Sequence, residues 1–186
     1  VKVDDIGQQD RELVARRAGT PIGEVGVVAV VAGDGLAALF RSLGVTAIVP
    51  GGQSMNPSAQ EILDAALGVP AEEVIILPNN RNVVLAAGQA KELARGKRLH
   101  VVPTQDMPQG ISAMIGFNYE MDARSNLAAM DEARLAVKTG EVTMAVRQAS
   151  IDGTRVAKGQ AIGLTGGALV VAEADTEAAL ERLAER

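Results

Sequence analysis

Apolar runs that leave through proline or glycine into short polar residues recur along the first hundred positions. The strongest, Val-Gly-Val-Val-Ala-Val-Val within Glu24–Val31, does not alternate with polar residues, and this predicts a central strand covered on both faces. It exits at Gly33-Asp34-Gly35. Runs at Thr46–Val49, Glu73–Leu77 and Lys97–Val102 predict three more strands, leaving through Pro50, Pro78 and Pro103. These prolines stand about 28 and then about 25 residues apart, the length of a strand–helix repeat. Helical periodicity fills the gaps. Leu36–Leu43 is one such segment. Ser58–Leu67 turns Ile62, Leu63, Ala66 and Leu67 inward, and Arg81–Ala94 does so with Val84, Leu85, Ala87 and Leu93. Asp34, Asn56 or Ser58, and Asn80 are the expected caps.

This alternation predicts an α/β fold, an open and mostly parallel sheet with helices on both faces. The pattern changes after Thr104. A short apolar helix opens at Pro108-Gln109-Gly110 and runs through Ile115. A long amphipathic helix follows over Asp122–Lys138, with Leu127, Met130, Leu135 and Val137 on its core face. Glu141–Gln148 alternates with Val142, Met144 and Val146 on one side, predicting a half-buried strand. A tight turn at Asp152-Gly153, short extended pieces through Val171 and a helix over Asp175–Glu185 complete an antiparallel C-terminal addition, either joined to the main sheet or forming a small second one. The expected organisation is an N-terminal arm with a short helix over 1–23, an α/β core over 24–140, and the strand addition and terminal helix over 141–186, packed as part of the same domain.

Composition narrows the function. The 186 residues are 47% hydrophobic and 22% charged, with two Phe, one Tyr and no Trp, so the core must be built from Val, Ile, Leu and Ala. The net charge of −5 argues against nucleic-acid or anionic-membrane partners. There is no cysteine, which excludes thiolate chemistry, and His100 is the single histidine. No apolar run reaches transmembrane length and no signal peptide is visible, so a cytoplasmic location without membrane insertion is expected. A first residue of Val rather than Met suggests a piece of a longer protein.

In a parallel sheet the strand exits share one edge, where ligands of such folds bind. That edge collects the candidate binding residues Gly51, Gly52, Gln53, Ser54, Asn56, Asn79, Asn80, Arg81, Thr104 and Gln105. Gly51 to Pro57 can hold an oxyanion with backbone donors, or can be a structural turn whose amides serve the backbone. Asn79 and Asn80 can read a polar partner with Arg81 as anchor, or simply stop a strand and cap a helix. Gln105 to Gly110 can form an acidic lip or an ordinary loop. Asp34 is read as a helix cap before a base or Mg²⁺ ligand. Asp4 and Asp5 fit an exposed arm, and His100 lies inside a strand rather than at its exit. No acid–base pair, nucleophile elbow or histidine cluster is present, so the catalytic, cofactor and metal assignments are empty.

Several motifs, in order, carry a resemblance. They are Gly51-Gly-Gln-Ser-Met-Asn-Pro-Ser58, Val74-Ile-Ile-Leu-Pro-Asn-Asn80, Val102-Pro-Thr104 with Pro108-Gln-Gly110, and Lys138-Thr-Gly-Glu-Val-Thr143 with Ile151-Asp-Gly153. Together they resemble the carboxyl-terminal region of the bacterial fatty acid kinase large subunit, which is related to dihydroxyacetone kinases. The resemblance implies a DegV-like α/β fold and a noncatalytic domain that engages a separate fatty-acid-binding protein subunit. It places ATP and Mg²⁺ in another domain of the parent, and implies a chain that ordinarily continues past Arg186. The alternatives are a small-ligand domain for a carboxylate, phosphate or triose, and a homodimerisation domain of the parent.

Overall fold

The computed structural model describes residues 24–52, 56–151 and 153–185. The expected arm and short helix over 1–23 lie outside the described residues, as do Gln53 and Ser54. Two compact units divide the chain, one ending at Arg134 and the other starting at Leu135.

The first unit is the predicted α/β body. Its strands are β1 (Val25–Val31), β2 (Ala47–Pro50), β3 (Glu73–Leu77) and β4 (Arg98–Val101). They form one parallel sheet in the order β2-β1-β3-β4. The helices between and after them are α1 (Asp34–Ser42), α2 (Ala59–Gly68), α3 (Val84–Leu93), α4 (Met107–Ile115) and α5 (Ala123–Leu135). Every residue of β1 is buried because both of its faces are covered. Val27, Ala29, Val31, Ile75 and Leu77 pack with Phe40, Ala113, Met114 and Met130 on one side. Val28, Val30, Val74 and Ile76 pack with Ile62, Leu63, Ala66, Ala87 and Ala90 on the other. Truncating the fully buried Phe40 would cost about 3–5 kcal/mol.

Local chemistry fixes the helix ends. Ser58 caps α2 in a reciprocal box with Glu61. The far end of α2 is held from a distance: the Lys97 ammonium donates to the carbonyl oxygens of Ala66 at 3.1 Å and Leu67 at 2.9 Å, and also to that of Val69. A cation at a helix C-terminus satisfies orphan carbonyls and complements the helix dipole.

The inward faces differ from the expectation at several leucines. In α3, Leu85 is 73% and Leu93 53% exposed, and the buried positions are Ala87 and Ala90. The helix starts at Val84 rather than Arg81, and alanines let its backbone approach the sheet where leucines would not fit. Leu67 and Leu135 are likewise exposed at the ends of their helices.

The second unit contains β5 (Gly140–Met144), β6 (Ala149–Ile151), β7 (Thr154–Val156), β8 (Ala161–Thr165), β9 (Ala168–Glu173) and α6 (Thr176–Ala184). Strands β5, β8 and β9 make an antiparallel sheet, and β6 and β7 a separate hairpin. The antiparallel addition is thus a small second sheet. The alternating strand ends earlier than its pattern suggests. Ala145 exchanges backbone hydrogen bonds with Gln160 and Gly159, closing the base of the hairpin just after Met144. Val142 is half-buried as expected, while Met144 and Val146 are exposed. Helix α6 is capped by Asp175 and lies over glycines: a Cβ on Gly140 would come within 2.6 Å of Leu183. Among the described residues, no helix is long and apolar enough to cross a membrane.

Replacing Lys97 with Met should keep the stem and lose the three carbonyl contacts. The expected loss is about 1–2 kcal/mol in urea unfolding. An unchanged midpoint would show that water serves the end of α2 equally well.

Candidate functional site

The sheet order places a topological switch between β1 and β3, since the chain leaves β1 toward β2 and then crosses back to β3. In open α/β sheets this is where ligands bind, outside the carboxyl ends of the strands. All four exits meet along that edge.

The exits of β1 and β2 lie against each other. The Gly51 amide donates to the Val31 carbonyl at 3.1 Å, and a Cβ on Gly52 would fall 2.6 Å from the Ala32 Cβ. Gly52 is therefore required by the close approach of the two turns. Asn56 is exposed and lines an open groove of about 470 Å³ together with Ile48, Pro50, Pro57, Glu61 and Asp64. The Ser58 amide, and secondly its hydroxyl, hold the Glu61 carboxyl below its ordinary range. The first turn of α2 thus supplies its own anion. A free carboxylate or phosphate would meet two acidic side chains in the groove.

The exits of β3 and β4 meet through buried polar groups. Asn79 adopts a left-handed backbone conformation, φ 51°, and is 3% exposed, while Thr104 is fully buried. The Asn79 amide donates to Thr104 Oγ1 at 3.0 Å, and the Thr104 hydroxyl donates to Asn79 Oδ1 at 2.8 Å. Asn79 Nδ2 donates to the Val30 carbonyl at 3.1 Å, reaching across to β1. The structure therefore brings Asn79 and Thr104 together and engages their polar atoms internally. Gly110 of α4 leaves the room this needs, because a Cβ there would stand 2.1 Å from Asn79 Oδ1. This role of Gly110 was not legible in the sequence. No signal beside Asn79 points to it, since α3 and β4 lie between them in the chain.

The exposed candidates lie just beyond this tie. Asn80 accepts from the Asn82 amide at 2.8 Å, which makes a local turn rather than the expected cap. The N-cap position of α3 is Val83, which has no side-chain cap. Arg81 is exposed and has no ion pair among the described residues. Gln105 is exposed, its amide bonded to Gln109 Oε1, and Asp106 caps α4. Asp34 stands exposed in the first turn of α1 but does not cap it; Gly33 occupies that position, with a φ of 81° that favours glycine. Among the described residues, no three His, Cys, Asp or Glu side chains are grouped to hold a metal.

His100 belongs to another place. Its Nε2 lies 2.7 Å from Glu73 Oε2, and Arg98 Nη2 lies 2.9 Å from Glu73 Oε1. The Arg98 contact, followed by that of His100, holds the Glu73 carboxyl below its ordinary value of 4.5. These residues sit at the opening of β3 and in β4, away from the strand exits.

Two outcomes follow from this geometry. Thr104→Val should cost about 2–3 kcal/mol in urea unfolding, because it strands the Asn79 amide and carbonyl oxygen in a dry site. A change within error would mean that the pair does not hold the exits. For Glu73, ionised contacts favour the folded state above about pH 4.5 and fade as pH falls through the lower folded value. The stability gap between the native chain and Glu73→Gln should therefore be widest near neutral pH and close in acid. A gap independent of pH would discount the charged contacts.

Comparison with known proteins gives these elements a context. The FakA-like C-terminal family, which describes carboxyl-terminal regions of fatty acid kinase, matches residues 26–186. Protein YloV of Bacillus subtilis is 36% identical over 177 residues, covering 91% of this chain and 32% of its own length. An uncharacterised protein of Staphylococcus epidermidis is 34% identical over 182 residues, covering 93% of this chain and 33% of its own length. One from Staphylococcus aureus USA300 is 35% identical over 197 residues, covering 100% of this chain and 35% of its own length. The chain spans about a third of the length of these curated relatives. With the match running from β1 through α6, the chain belongs to the family of FakA-like carboxyl-terminal regions of fatty acid kinase.

Proposed function

We propose that this region is a noncatalytic docking domain of a fatty acid kinase-like protein, acting in the cytoplasm. It engages a separate fatty-acid-binding subunit, so that the rest of the parent can transfer phosphate from ATP to the fatty-acid carboxylate. ATP and its Mg²⁺ belong, in this reading, to the parent's kinase domain.

The observation that carries the reading is the division of labour at the strand exits. Asn79 and Thr104 are consumed in holding the edge, while Asn56, Arg81 and Gln105 remain exposed around it. Family membership supplies the kind of system. An exposed arginine beside amides on a rigid edge suits protein recognition, where arginine is a frequent hot spot. The small-anion alternative has less support, because Glu61 and Asp64 line the groove next to Asn56.

Calorimetry of the chain against a DegV-like fatty-acid-binding protein tests the proposal. Arg81→Ala combined with Gln105→Ala should weaken binding by about tenfold or more. The urea midpoint should not move, since both side chains are exposed. Affinity equal to that of the native chain would remove this edge from the interface, and an absence of binding by the native chain would remove the proposed function.

A further inference from the structure

The parallel sheet ends at β2 on one side and at β4 on the other, and the two edges are built differently. Sheet edges are commonly guarded by charged side chains, because their unpaired backbone groups attract other strands. β4 carries Arg98 and His100. β2 reads Ala-Ile-Val-Pro and carries no charge. Its pairing with β1 fixes which backbone groups are left over. The Thr46 amide donates to the Val27 carbonyl at 2.8 Å, so by alternation the amides and carbonyls of Ala47 and Val49 point away from β1. Among the described residues, no backbone hydrogen bond joins them to a third strand or a loop. Pro50 does not close this edge. Its missing amide belongs to the side facing β1, where Gly51 donates to Val31 in its place at 3.1 Å.

The open groove of about 470 Å³ runs beside this edge, with Ile48, Val49 and Pro50 on the strand side and Glu61, Asp64 and Ala65 on the α2 side. Its two charged lining residues are both acidic, and neither is in an ion pair among the described residues. Glu61 accepts from Ser58, and Asp64 accepts from the neutral Gln60 amide at 2.7 Å, so both negative charges stay uncompensated. An edge with free backbone groups thus faces a helix that presents two carboxylates.

We propose that this groove takes an extended segment of a partner protein, with lysine or arginine at alternate positions, as a further strand on β2. The backbone groups of Ala47 and Val49 hold the main chain of the segment, the mode known as β-strand addition. Ala47 and Val49 share a core layer with Ile62 and Leu63 of α2, so every second side chain of the added strand falls on the α2 side, toward Glu61 and Asp64. Charge complementarity selects the occupant. An acidic segment meets two like charges there, and an apolar one leaves them unanswered. Arg81 and Gln105 follow β3 and β4, on the far side of β1, and this surface goes beyond the docking role given to them.

Fluorescence anisotropy of labelled acetyl-Lys-Val-Lys-Val-Lys-amide with the 186-residue chain tests it. The peptide should bind, with a dissociation constant that rises with salt. Its counterpart with glutamate for lysine should bind about tenfold more weakly or not at all. The basic peptide N-methylated throughout keeps its charge, loses its strand donors and should also lose about tenfold. On the protein side, Glu61→Gln combined with Asp64→Lys should weaken binding by about tenfold, and a glutamine at that position keeps the α2 cap. The urea midpoint verifies that this variant folds. Arg81→Ala combined with Gln105→Ala should bind the peptide as the native chain does. Loss of the fatty-acid-binding protein with the peptide retained would therefore bear on the docking edge alone. A native chain that does not bind the basic peptide, equal affinity for the acidic or the N-methylated peptide, or native affinity in the Glu61 and Asp64 variant would each overturn the proposal.

Discussion

A single amide side chain connects three strands at the edge where this fold presents its candidate site. Asn79 leaves β3 in a left-handed turn, reaches the β1 carbonyl of Val30 and exchanges hydrogen bonds with Thr104 beyond β4. Buried as they are, these groups would each carry a desolvation penalty if left unpaired. Their mutual satisfaction turns that penalty into a geometric requirement. The exits of β1, β3 and β4 must keep their relative positions, and α4 must present Gly110, whose missing side chain leaves space for the amide.

The edge is thereby split into a fixed interior and an available exterior. Helix starts along it provide their own carboxylates: Asp34 in the first turn of α1, Glu61 in the α2 box and Asp106 at α4. Glu61 accepts from the Ser58 amide and Asp106 from the Gln109 amide, whereas Asp34 makes no cap bond and the start of α3 has no acidic residue. Asn56, Arg81 and Gln105 stand exposed on the same edge as these carboxylates. The same logic makes the Glu73, Arg98 and His100 cluster a feature of sheet cohesion, tying the start of β3 to β4.

Within the second unit, small residues set the packing. Gly140 and Gly163 leave space for Leu183, so α6 can lie close to the three-stranded sheet. Ala161, Val171 and Ala179 complete a compact core. Met144 and Val146 stay exposed beyond this core, as do Arg147, Arg155 and Lys158 in and around the hairpin that follows β5.

The order of strands and helices in the first unit was legible in the sequence, because uninterrupted β-branched runs and prolines mark short buried strands, and Ser58 marks a helix start. The family was legible too, in the ordered motifs from Gly51 to Gly153, and its match over residues 26–186 agrees. The inward faces of α3 and of the strand after Gly140 were misread, since periodicity orders residues along an element but does not reveal how closely a neighbour approaches. The sequence by itself determined where polar groups stand along the chain and that four parallel strands would gather them. Only the tertiary structure decided that Asn79 and Thr104 turn inward to each other while Asn56, Arg81 and Gln105 stay outside. Hydrogen-bond partners far apart in the chain become neighbours through the sheet order β2-β1-β3-β4, and no local pattern encodes that order.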